Sequence, residues 1–301
     1  MIDWFEGVGW QIYKSNKYLL QIFIISGWLI CDNLFTPLTL GWGMEALTTG
    51  VLLIALCLVA FLYASVGHGG ASGYLAILSL TAYSSQDSAW LKQHAWSLNL
   101  IVAGLAFIAY RRSGFFSWKL TLPFLITSIP AAIIGGYLKV DHGVYDTLLS
   151  LTLIFAAWRL LTIKNKDSED IFVDPPAHHI AAIVGLAIGL LSGIIGIGGG
   201  IFLSPIILLF GWGDAKTTAG VAAAFIWLNS AAGLIGSTIS GQLVLDGGVM
   251  LPFAGAVIVG GVFGAKIGAD VLSQQTVRRL LVSVLLLAAL KRVVELLGAW
   301  A

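Results

Sequence analysis

Charge is scarce in this chain. Only 10% of its 301 residues are Asp, Glu, Lys or Arg, against about 25% in a typical soluble domain. That is too little to solvate the surface of a soluble globule of this size. The few charges almost cancel, leaving a formal net charge of +1, so no basic surface is available for nucleic acid. Cysteine is nearly missing: Cys31 and Cys57 stand far apart in apolar settings. Disulfide and zinc frameworks need tighter spacing or further ligands, so both cysteines read as packing residues. His178 and His179 follow a pair of prolines in a loop, too isolated for a metal site. No nucleophile–base pair stands out, so the chain does not read as an enzyme, and no cofactor or metal is expected. The opening residues, MIDWFEGVGW, lack the basic start and small-residue cleavage site of a secretory signal, so the first segment is expected to be kept.

What the chain has instead is apolar length. Of its residues 58% are hydrophobic, gathered into runs most of which are long enough to cross a hydrocarbon core of about 30 Å. Runs at 50–66, 96–110, 120–138 and 147–163 fill the first half, and runs at 180–195, 221–239, 251–267 and 280–297 fill the second. The expected fold class is an all-α polytopic membrane protein. An N-terminal segment, 1–45, holds a shorter apolar stretch at 18–31 that reads as an extra span or an interfacial helix.

Two runs are interrupted by glycine. The second-half interruption is Gly196-Ile197-Gly198-Gly199-Gly200, with Pro205 beyond it, and the first-half one is Gly67-His68-Gly69-Gly70-Ala71-Ser72-Gly73. Each interior glycine costs a helix about 1 kcal/mol relative to alanine, so clusters this dense should break the helix. A break is tolerated in lipid only where its freed N–H and C=O groups meet protein, water or ligand. Helix restarts are expected near Ser72 and Ile201.

The halves match at an offset of 129 residues. Gly67, Gly69 and Gly70 fall on Gly196, Gly198 and Gly199; Leu122-Pro123-Phe124 falls on Leu251-Pro252-Phe253; Gly135 falls on Gly264. Asn99 meets Asn229 with a slip of one. The chain therefore reads as two homologous repeats, 46–163 and 180–301, joined by a charged linker, 164–179. Each is a glycine-broken helical hairpin followed by three transmembrane helices. Distributing the 16 basic residues by the positive-inside rule favours inverted repeats, although Lys291 and Arg292 count against it. Gly185, Gly189 and Gly193, like Gly260, Gly264 and Gly268, recur every four residues, the spacing that lets helix backbones approach closely in lipid.

Polar groups inside a bilayer are functional candidates by default. Here they are His68, Ser65 and Ser72 at the first break, Ser192 and Ser204 flanking the second, Asn99 and Asn229 in the helices that follow, and Lys266. His94, beside Lys92, reads as structural or solvated near an interface. A helix restarting in the membrane presents unpaired N–H groups and a partial positive charge, and glycine lets an anion approach them. With few full cations in the spans, the backbone would carry most of an anion's charge. The expected substrate-binding residues are Gly67, His68, Gly69, Gly70, Ser72, Asn99, Gly196, Gly198, Gly199, Gly200 and Asn229. His68 doubles as the candidate for proton coupling, since imidazole changes charge near neutral pH. A dinucleotide fingerprint is excluded, because the strand, βαβ unit and acidic residue it needs are missing.

At these residues the chain resembles the TauE/SafE family of membrane anion transporters. The resemblance rests on Gly196-Ile-Gly-Gly-Gly-Ile-Phe-Leu-Ser-Pro205, on Lys216-Thr-Thr-Ala-Gly-Val-Ala-Ala-Ala-Phe-Ile-Trp-Leu-Asn-Ser-Ala-Ala-Gly233 and on Val66-Gly-His-Gly-Gly-Ala-Ser-Gly-Tyr-Leu75, and covers roughly 46–298. It implies a secondary transporter for sulfite, sulfonates or related organosulfur anions, exporting its cargo across the cell membrane. The alternative is uptake of thiosulfate or sulfate. The expected partners are a small anion and the bilayer; nothing in the sequence sets an oligomeric state.

Overall fold

The computed structural model describes residues 43–78, 81–139, 175–277, 279–280 and 283. The expected segment at 18–31, the span at 147–163, most of the linker and nearly all of the last span lie outside the described residues. The chain divides into two units after Thr48; all packing below belongs to the second, Thr49–Ala301.

Among the described residues every regular element is helical. In order these are α1 (Gly43–Ala64), α2 (Ala71–Leu78), a 3-10 turn (Ala82–Ser85), α3 (Ser88–Arg112) and α4 (Trp118–Tyr137). After the undescribed stretch come α5 (His178–Ile195), α6 (Gly200–Phe210), α7 (Ala215–Ile239) and α8 (Gly247–Lys266), the last running into a π-turn (Ile267–Val271). Four of these, α4, α5, α7 and α8 with its π-turn, are long and apolar enough to cross a membrane. Side-chain oxygens at three starts accept the first orphan N–H groups. Ser117 takes Leu120 N at 3.3 Å, Asp214 takes Thr217 N at 2.7 Å and Asp246 takes Gly248 N at 2.9 Å.

Helices α3 and α7 form the interior. They cross with opposite sense: Gln93 bonds Ser237, Asn99 approaches Ser230, and Tyr110 lies by Gly220. Around them the expected glycine faces do their packing. A Cβ on Gly185, Gly189 or Gly193 of α5 would strike the backbone of Phe124, Ser128 or Ala132 of α4. A Cβ on Gly260, Gly264 or Gly268 of α8 would strike Cys57, Phe61 or Ser65 of α1. Both pairs run parallel. Within them, Gly135 lies on the Leu190 carbonyl and Gly264 on the Phe61 carbonyl, contacts that interchange at the offset of 129. Apolar side chains such as Ile126, Ile183 and Leu251 point outward, as a lipid-facing surface requires.

Candidate substrate site at two helix breaks

Both glycine stretches break their helices. Helix α1 ends at Ala64 and α2 begins at Ala71; α5 ends at Ile195 and α6 begins at Gly200. Each restart comes one residue earlier than the sequence suggests. Pro205 does not help to end anything: it sits inside α6. Gly67, Gly70, Gly196, Gly198 and Gly199 all have positive φ, the left-handed region that side chains with a Cβ avoid. At the first break the second arm starts beside the first: Ser72 meets Tyr63, and a Cβ on Gly73 would meet Val59. At the second, a Cβ on Gly199, just before α6, would meet Ile188.

The two breaks meet at Asn99, halfway along α3. Its Oδ1 accepts the Ala71 N–H at 3.0 Å, capping α2. Its Nδ2 donates to the Ile197 carbonyl at 3.2 Å and to Ser230 Oγ at 3.4 Å. Gly69 is squeezed against the same side chain, since a Cβ there would overlap Oδ1. One amide thus holds the start of α2 and the middle of the second break together, and it is wholly buried.

His68 makes the second link between the breaks. Its Nδ1 donates to the Val66 carbonyl at 2.9 Å, which in the neutral ring leaves Nε2 to accept from Ser204 Oγ at 3.3 Å. The Gly200 backbone is also within reach of the ring. Tyrosines close around the first break: Tyr63 Oη and Ser72 Oγ share a 2.8 Å hydrogen bond, and Tyr110 Oη donates to the Ser65 carbonyl at 2.6 Å. Sequence inspection missed this tyrosine shell, whose signal was Tyr63 and Tyr74 flanking the break nine and eleven positions apart from Ser72 and Tyr63 respectively.

Asn229 occupies a different position from Asn99. Its Nδ2 donates to the Phe225 carbonyl at 2.8 Å and to Ser128 Oγ at 3.2 Å, so it ties α7 to α4 and touches neither restart N–H. Lys266 is exposed. His94 is not solvated: it is fully buried, donates through Nδ1 to the Trp90 carbonyl at 2.8 Å, accepts the Asp246 N–H at 3.3 Å, and stacks on Trp90.

Two cations that the sequence places between spans lie in the interior. Lys92 and Lys216 are only 2% and 7% exposed. Lys92 donates to the Leu138 carbonyl at the C-terminus of α4, and Lys216 to the Ala269 carbonyl in the π-turn that ends α8. Each ammonium thus faces the negative end of a helix. Lys92 also packs on the second break, where a Cβ at Gly196 would come within 2.7 Å of its Cβ. The positive-inside count takes charge from sequence position alone, so it assigns both lysines to loops.

The family model for the sulfite exporter TauE/SafE matches residues 52–292. The chain belongs to the TauE/SafE family. It is 36% identical over 243 residues to a probable membrane transporter protein, y4hK, of Sinorhizobium fredii, covering 80% of this chain and 96% of that one. It is 30% identical over 250 residues to the probable membrane transporter protein YunE of Bacillus subtilis, covering 73% of this chain and 88% of the other. No solved structure matches it. As a TauE/SafE protein it is a multi-pass membrane transporter and not an enzyme, and the transporter family implies a small anionic substrate.

Proposed function

We propose that this protein exports sulfite or a small organosulfur anion by alternating access between two inverted repeats, with the substrate held by backbone N–H groups at the two glycine breaks. The observation that carries this reading is the Asn99 bridge, which joins the start of α2 to the second break at Ile197. Transporters of inverted-repeat design use interrupted helices near the membrane midplane in this way. The opposite sense of α3 and α7, and the Gly135–Leu190 and Gly264–Phe61 approaches at one offset, support inversion. Alternating access then amounts to one repeat rocking on the other about the breaks. Gly67, Gly69, Gly70, Gly198, Gly199 and Gly200 leave the restarts uncovered by side chains of their own, and Ser72 is the second residue of α2. Export of sulfite comes from the name of the family model.

The test is flux in proteoliposomes of purified protein under imposed gradients, with labelled sulfite, thiosulfate and sulfate. Sulfite leaving the compartment that matches the cytoplasm supports the reading. Net accumulation of thiosulfate or sulfate in its place supports uptake. Proton coupling is assigned to His68, whose ring spans the breaks. His68→Gln is expected to keep transport but flatten its pH dependence. If His68→Ala and His68→Gln both leave rate and pH profile as they were, the proton linkage is wrong.

A further inference from the structure

The second break carries polar atoms that the protein itself leaves unsatisfied. Ser192 Oγ and Asn229 Oδ1 are buried with no hydrogen-bond partner, and both residues are 0% exposed. A buried polar group without a partner is costly and calls for an explanation.

Both lie around the N-terminus of α6. A Cβ on Gly199, the residue before α6, would stand 3.4 Å from Ser192 Cβ and 2.9 Å from the Phe225 ring. Asn229 is one turn along α7 from Phe225 and is bonded to the Phe225 carbonyl at 2.8 Å. Ser128, its other partner at 3.2 Å, packs against Gly189, one turn before Ser192. Helices α4, α5 and α7 therefore converge here on the restart of α6. The matching restart of α2 has its first N–H already filled by Asn99 Oδ1.

The two unsatisfied atoms differ in kind. The Ser192 hydroxyl donates or accepts, and the α6 N-terminus donates. Asn229 Oδ1 only accepts, because the Phe225 carbonyl can bond nothing but Nδ2 and so fixes the amide's orientation. The cradle is thus mostly donor with one built-in acceptor. An anion with oxygens on every side would fill the donors and leave Oδ1 facing another lone pair. Building on the proposed anion site, we propose that the second break selects oxyanions that carry a hydrogen-bond donor of their own. In such a complex the oxyanion takes the Ser192 hydroxyl and the α6 N–H groups, while its N–H or O–H is given to Asn229 Oδ1. Hydrogen sulfite and amino- or hydroxy-substituted sulfonates satisfy this; sulfate and thiosulfate at neutral pH do not.

A matched pair of ligands tests it. Sulfamate and methanesulfonate are tetrahedral monoanions of nearly the same size, differing by an amino group in place of a methyl group. Binding to the full-length protein in detergent is measured by calorimetry, with thermal stabilisation as a second readout. Sulfamate is expected to bind at least about tenfold more tightly, the value of one hydrogen bond to a buried acceptor. Asn229→Leu should bring the ratio close to one. Ser128→Ala, which removes a partner of Nδ2 and spares Oδ1, should keep the preference. Equal binding of the two anions by the native protein, as expected if the cradle holds only a structural water, would falsify the proposal, and so would a preference that survives Asn229→Leu. If neither of these anions nor sulfite binds, the anion site proposed above fails and this inference falls with it. If sulfite and both probes bind but without the preference, only the selectivity is lost.

Discussion

The first break is tied across by side chains and the second is not. On the first, Tyr63 reaches over to Ser72, Tyr110 holds the Ser65 carbonyl, and Asn99 caps the restart. On the second, the positions that match Tyr63 and Ser72 are Ser192 and Ile201. No hydrogen bond can form between that pair, and Ser192 Oγ has no partner. The glycine neighbours differ as well: Gly67 abuts the backbone carbonyl of Ala219, whereas its match Gly196 abuts the Cβ and Cα of Lys92. The two interruptions thus differ in how their arms are held: side chains fasten the first, while each keeps a buried hydroxyl without a partner, Tyr74 Oη beside Gly70 and Ser192 Oγ beside Gly199.

Several substitutions would break or sharpen this contrast. The largest effect is expected from Asn99→Ala, which leaves the Ala71 N–H, the Ile197 carbonyl and Ser230 without their shared partner. At 1–3 kcal/mol for each buried group left unpaired, the loss is about 3 kcal/mol or more, read as a collapse of thermal stability together with transport. Next comes a paired comparison. Gly67→Ala drives a methyl group into the Ala219 backbone and should lower the yield of folded protein sharply. Gly199→Ala meets side chains that can shift, and should cost about 1–2 kcal/mol, mostly from the left-handed backbone. Tyr63→Phe strands Ser72 Oγ and should destabilise by about 1–3 kcal/mol, visible as a lower melting temperature in detergent. Ser192→Ala, the matching change on the second break, removes a hydroxyl that bonds nothing and should leave the melting temperature unchanged or slightly higher while weakening anion binding. Equal destabilisation by Tyr63→Phe and Ser192→Ala would erase the distinction between the halves.

Much of this was legible in the residues. Glycine clusters break helices for local reasons, so the two breaks and their restarts follow from composition alone, within one residue. The small-residue faces follow from spacing, and Gly185, Gly189 and Gly193 meet α4 as that spacing implies. The differing work of the two asparagines was hidden. A slip of one position turns a side chain by about 100° around a helix. It turns the Asn229 amide onto Ser128 and the Phe225 carbonyl, and Ser230 takes the place facing Asn99. The burial of Lys92 and Lys216 was hidden too. Hydropathy treats a lysine near the end of an apolar run as a loop marker, whereas a long side chain can turn inward to reach a helix C-terminus. The start of α3 at Ser88, well before the apolar run at 96, has the same cause: its first two turns carry Lys92, Gln93 and His94, all buried against protein and not lipid.

The opposed course of α3 and α7 also separates the two buried cations. Lys92 and Lys216 sit near the beginnings of these two helices. By the rise of about 1.5 Å per residue, they stand on the order of 30 Å apart along the axis. Each ammonium is balanced by the carbonyl end of a neighbouring helix and, among the described residues, not by a carboxylate. The middle of the pair, where Asn99 faces Ser230, is served by uncharged groups.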